Sequence, residues 1–153
     1  MNPRRETLYR CPVCDTVVEV LDKVGLELSC CGPAMVPLEA QTDQPGADGH
    51  APVAQWGQGE LRVTVGEHRH AMHPDHCIEW IELVADGACF RHFCKPGQEP
   101  EAVFDVRSLE GPLTVRAYCS LHGLWSSAVA AEQRAWGREG RSSFCAETVH
   151  TVA

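Results

Sequence analysis

Four cysteines near the start of the chain constrain its folding more than any other feature. Cys11-Pro12-Val13-Cys14 is followed, after fifteen residues, by the adjacent pair Cys30-Cys31. A segment of roughly thirty residues is too short to bury a self-sufficient apolar core, so it needs a staple. Two cysteine pairs converging on one ion provide the tetrahedral sulfur cage that Zn²⁺ or a single iron accepts. Neighbouring residues on an extended chain point opposite ways, so Cys30 and Cys31 can share an ion only across a sharp bend. Gly32-Pro33 supplies the means for one. Residues 1–38 are therefore expected to form a small metal knuckle, with a β-rich stretch over 16–21.

Residues 39–49 are polar and rich in Gly, Asp and Gln, a linker composition. Beyond them the sequence changes character. Short apolar, β-branched runs occupy 51–56, 60–65, 77–85, 88–93, 102–106 and 113–119, with Gly-containing turns between several of them. That rhythm predicts an antiparallel β-sandwich over 50–125. Ser126-Ser127 then reads as the cap of a helix through 128–136, inside a C-terminal extension over 126–153 of no assigned role.

The chain carries 13 Lys and Arg against 21 Asp and Glu, a formal net charge of -8. With no basic run to track a phosphate backbone, nucleic acid is not an expected partner. No apolar run approaches the length of a membrane span, and no apolar h-region precedes Cys11. The expectation is a soluble, cytoplasmic protein. Its nine cysteines then read as metal ligands and free thiols rather than disulfides.

A second donor cluster is spread over three histidine-bearing segments beside Gly or Pro. Their spacing suits four imidazoles, from His50, His70, His76 and His122, and one thiolate from Cys119. Borderline nitrogen donors with one soft sulfur suit Fe(II), and five protein ligands leave one octahedral position open. A small oxygen species could bind and be reduced there. Cys77, beside His76 on a predicted strand, reads as a small buried hydrophobe, as do Cys89 and Cys94.

The same segments closely resemble the desulfoferrodoxin family, the two-iron superoxide reductases. The motifs are His-x-Pro-Val from His50, His-x-Met from His70, His-x-Ile-Glu-Trp from His76, and Cys-x-Leu-His-Gly-Leu-Trp from Cys119. Ile78-Glu79-Trp80-Ile81-Glu82-Leu83 and Lys95-Pro96-Gly97 also match. The resemblance implies a desulforedoxin-like Fe(Cys)4 centre at Cys11, Cys14, Cys30 and Cys31, where zinc is the alternative metal. It further implies an immunoglobulin-like sandwich holding an Fe(His)4(Cys) centre with Cys119 as axial thiolate. The implied activity is one-electron reduction of superoxide to hydrogen peroxide, with a rubredoxin-like donor restoring the iron, and the expected assembly is a homodimer. In the family pattern an acidic residue and then a lysine precede the first ligand histidine. Here Asp48 and Gly49 stand in those places. Arg69, next to His70, is then the candidate for replacing the missing positive charge. Two other readings use the same donor set: an iron enzyme acting on a different substrate, and a non-catalytic electron carrier or redox sensor.

Overall fold

The computed structural model describes residues 7–21, 27–85 and 87–130. The N-terminal module is a three-stranded antiparallel sheet of β1 (Leu8–Arg10), β2 (Val17–Glu19) and β3 (Val36–Pro37), in the order β2-β1-β3. Its apolar core is small: Tyr9, Cys11, Val20 and Met35. The expected bend at the second cysteine pair is real, with Cys31 at φ 51° and Gly32 at φ 100°. A non-glycine residue at positive φ is strained, and here it turns two adjacent sulfurs toward one point.

The remainder is an antiparallel sandwich of the immunoglobulin-like kind. One sheet contains β6 (Ile78–Ala85), β7 (Ala88–Phe93), β9 (Leu113–Cys119) and β10 (Gly123–Val129), ordered β10-β9-β6-β7. The other contains β4 (Pro52–Trp56), β5 (Glu60–Val65) and β8 (Glu101–Asp105), ordered β4-β5-β8. Alternate residues of β5 and β9, such as Leu61, Val63, Val65 and Leu113, Val115, Ala117, Cys119, face one shared core. Strand β6 breaks the alternation. A register shift between Ile78 and Trp80 lets Ile78 and Ile81 both join the core, while Trp80 packs with Leu8, Tyr118 and Leu124 on the opposite face of the sheet.

The N-terminal module seats on that outer face. Leu8 and Val17 pack into the Trp80–Tyr118–Leu124 cluster, and Arg91 reaches from β7 to Glu19 at 3.1 Å and to Glu82 at 2.6 Å. Glu82 is fully buried and also pairs with Arg116.

Three expectations change. The segment over 126–129 is not helical, because β10 continues through Ser126 and Ser127, pairing residue by residue with β9 from Gly123↔Cys119 to Val129↔Leu113. A seven-residue ladder outweighs a local capping preference, and the rest of the expected helix lies outside the described residues, as does Cys145. Cys89 is exposed rather than buried, on edge strand β7, with its thiol donating to Glu82 Oε2 at 3.4 Å. The segment over 39–49 is docked: the Gln41 amide donates to Leu124 O at 2.9 Å, Gln41 O accepts from Ser126 N at 2.9 Å, and α1 (Ala47–His50) follows.

Candidate metal centres

Five donors meet at one end of the sandwich because three chain passages turn there. His50 ends α1, His70 lies in the loop after β5, and His76 closes a tight turn with His73 just before β6. Cys119 is the last residue of β9, and His122 sits in the three-residue connection to β10. Their donor atoms all lie within 4.8 Å of one another.

The imidazoles form a ring. Neighbouring centroids are 4.7 Å apart for His50 and His70, 4.7 Å for His70 and His76, 4.8 Å for His76 and His122, and 4.4 Å for His122 and His50. His50 and His76 face one another across it at 6.2 Å. Four nearly equal sides and a longer diagonal describe a near-square with all four rings edge-on to their neighbours. Cys119 is fully buried, with Sγ 3.6 Å from His70 Nε2 and 3.5 Å from His122 Nδ1. His122 is exposed. The sulfur thus lies on the protein side of the ring, and the opposite side faces outward.

Hydrogen bonds fix which nitrogens point inward. His50 Nδ1 donates to Gly46 O at 2.9 Å and His70 Nδ1 donates to Ala71 O, which leaves each Nε2 as the free lone pair. The Nε2 atoms of His50 and His76 are buried with no hydrogen-bond partner among the described residues. Buried polar atoms are rarely left unpaired, so two of them aimed at one point fit an ion there. Burial lowers the pKa values of His70 and His122, and the other imidazoles lower them further, so these rings are held neutral and ready to ligate. Burial raises the Cys119 thiol pKa, and the backbone N–H groups of His122 and Leu121 oppose that by favouring the thiolate. The donor set, four imidazoles and one sulfur, therefore fits a single borderline metal ion such as iron.

The second cluster is Cys11, Cys14, Cys30 and Cys31. A regular tetrahedron of sulfurs about 2.3 Å from a central ion has edges of about 3.8 Å. Cys14 Sγ and Cys30 Sγ are 3.7 Å apart, and Cys30 Sγ and Cys31 Sγ 3.8 Å. The spacing is that of a cage shaped for one ion. Thr16 Oγ1 lies 3.1 Å from Cys14 Sγ and is the main reason that thiol falls to about 6, while contact with Cys14 is the main reason Cys30 rises to about 12.

Asp48 and Arg69 are not part of either donor set. Asp48 lies on α1, where its main-chain oxygen accepts from Glu67 N at 2.8 Å. Arg69 is exposed and ion-paired with Glu99. Two contributors, Gln41 and Trp125, were not foreseen from the sequence. Gln41 Nε2 donates to the carbonyl of His122 at 2.8 Å, and the Trp125 ring stacks on His50 at 5.2 Å and 19°.

A profile of the family described as desulfoferrodoxin matches residues 42–128, and one for the desulfoferrodoxin N-terminal domain matches residues 3–38. This chain belongs to the desulfoferrodoxin family. A desulfoferrodoxin of Syntrophotalea carbinolica is 43% identical over 120 residues, covering 78% of this chain and 94% of that relative. A superoxide reductase of Thermococcus kodakarensis is 37% identical over 100 residues, covering 54% of this chain and 87% of its own. The crystal structure of the superoxide reductase from Treponema pallidum shares the fold, with a TM-score of 0.64 at 22% identity, across 82% of this chain and 99% of that one.

Proposed function

We propose that this desulfoferrodoxin-family protein is a superoxide reductase that takes up one superoxide, one electron and two protons and releases one hydrogen peroxide. The observation that carries this reading is the asymmetry of the five-donor site: a fully buried Cys119 beneath a ring of imidazoles whose other side faces outward. Iron bound there supplies the one-electron couple. The chain's own groups do the rest. The backbone N–H groups of Leu121 and His122 partly offset the burial that raises the Cys119 thiol pKa, and the carbonyls of Gly46 and Ala71 orient His50 and His70. At the mouth, Asp48 and Arg69 are the candidates for handling a proton or an incoming anion. Iron, with zinc as the alternative, is proposed for the four-cysteine site, and a rubredoxin-like one-electron carrier is proposed as donor.

Gly49 motivates a second reading. A side chain there would meet nothing within 4 Å, so the approach beside His50 is wider than a lysine would leave it, and a larger peroxide or organic substrate could enter. Rapid mixing of the iron-loaded, reduced protein with pulses of superoxide separates the two. The first reading expects oxidation of the open site in proportion to superoxide and its loss in Cys119→Ser. Reaction with organic peroxides but not with superoxide would favour the second.

A further inference from the structure

We propose that Thr16, Val17, Trp80 and Tyr118 form a through-chain electron route joining the four-cysteine site to the thiolate of the open site. The proposal rests on the superoxide reductase reading above and adds a role for the N-terminal module.

The contacts pass from the module to the sandwich through one apolar cluster. Cys14 Sγ lies 3.1 Å from Thr16 Oγ1, and Thr16 is bonded to Val17. Val17 packs against the cluster of Leu8, Trp80, Tyr118 and Leu124 on the outer face of the sheet. Within it the Trp80 and Tyr118 rings stack at 5.4 Å, 10° from parallel. Tyr118 is bonded to Cys119, whose sulfur belongs to the second donor set. Apart from one hydrogen bond and two packing contacts, every link is covalent. The bulge in β6 gives Trp80 this position, because it turns Trp80 away from the sandwich core and under the module.

Two further features hold the route together. Arg91 lies over the Trp80 ring at 5.0 Å and pairs with Glu19 of β2, which pins the module to the sheet beside the stack. A cleft of about 520 Å³ opens along Cys14, Val17 and Trp80, so a donor arriving from solvent reaches the exposed end of the route. One electron leaves a reduced ion at the four-cysteine site and arrives at an oxidised ion at the open site. No bond forms or breaks, and the rings serve as contact atoms for tunnelling rather than as radicals. The step requires iron at both sites.

The test uses the full chain with two irons confirmed by analysis. The fully reduced protein is pulsed with less than one equivalent of oxidant, superoxide in one series and a one-electron inorganic oxidant in the other. Both sites are followed by their separate absorption bands. The route predicts that the open site is oxidised first and then recovers while the four-cysteine site oxidises at the same first-order rate, independent of protein concentration. Trp80→Leu, which leaves a void whose lining loses its contact atoms, should slow that recovery by about tenfold or more. Trp80→Phe should restore most of it, and the potentials of both sites should be unchanged in each variant. Equal recovery rates in wild type and Trp80→Leu, a rate proportional to protein concentration, or zinc retained at the four-cysteine site in the native chain would overturn the proposal. The inorganic oxidant separates the two ideas: recovery through the route after that pulse, with no response to superoxide, would sink the superoxide reading and leave the route standing.

Discussion

Placing a lysine at position 49 tests whether the mouth of the site lacks a cation. Gly49 lies within α1, has no left-handed φ, and a Cβ there meets nothing within 4 Å, so the substitution is sterically free. Helix propensity favours it slightly as well. The chain carries -8, and the candidate cation beside His70 in the sequence, Arg69, is already paired with Glu99. A lysine next to His50 would bring its ammonium within about 10 Å of the open position, where a unit charge attracts an anion by about 0.4 kcal/mol in water and about 1.7 kcal/mol at an effective dielectric of about 20. Association with superoxide should therefore rise by between about twofold and about eighteenfold at low salt. Because the screening length is about 10 Å at 0.1 M salt, most of the gain should vanish as salt is added. Stopped-flow association rates for wild type, Gly49→Lys and the neutral Gly49→Gln, each across a salt series, provide the measurement. If the lysine and glutamine variants react at the same rate at low salt, or share one salt slope, steering at this mouth does not limit the reaction and the argument fails.

Arg69→Ala should change association less than Gly49→Lys does, because Glu99 already offsets the guanidinium, whereas Glu99→Gln should accelerate it; the same salt series reads both. Glu82→Gln should destabilise the chain by about 3 kcal/mol in urea unfolding, since it leaves Arg91 and Arg116, with side chains 24% and 17% exposed, without their buried counter-ion. Chelating the four-cysteine ion should unfold the N-terminal module, whose own buried cluster among the described residues is Tyr9, Cys11, Val20 and Met35, while amide protection in β5, β6 and β9 persists.

The two donor clusters were legible in the sequence because they are written in short intervals: Cys11, Cys14, Cys30 and Cys31 converge in one, and His50, His70, His76, Cys119 and His122 in the other. Strands were legible too: the runs expected at 60–65, 88–93 and 113–119 coincide with β5, β7 and β9, and β5 alternates cleanly between exposed and buried residues over Glu60–Val63. What stayed hidden depends on partners far away in the chain. Ser126-Ser127 carries the local letters of a helix cap, and only its ladder with β9 makes it strand. Cys89 is apolar in type, but its strand is a sheet edge, which leaves the residue exposed. Gln41 sits in a polar stretch that reads as linker, yet its amide reaches the carbonyl of a ligand 81 residues later. The groups that offset the effect of burial on Cys119 are backbone N–H groups of Leu121 and His122, and a backbone group has no letter of its own.

The stoichiometry of product formation tests the central claim most directly. Reduced, iron-loaded protein mixed with a limiting amount of superoxide should yield one hydrogen peroxide for every superoxide consumed and no dioxygen, because the electron comes from the protein. The same yield should survive replacement of the four-cysteine ion by zinc in a single turnover, since all five donors of the open site lie in the sandwich and the segment leading into it. A yield of half a peroxide per superoxide, with dioxygen making up the balance, would mean dismutation rather than reduction and would contradict the account.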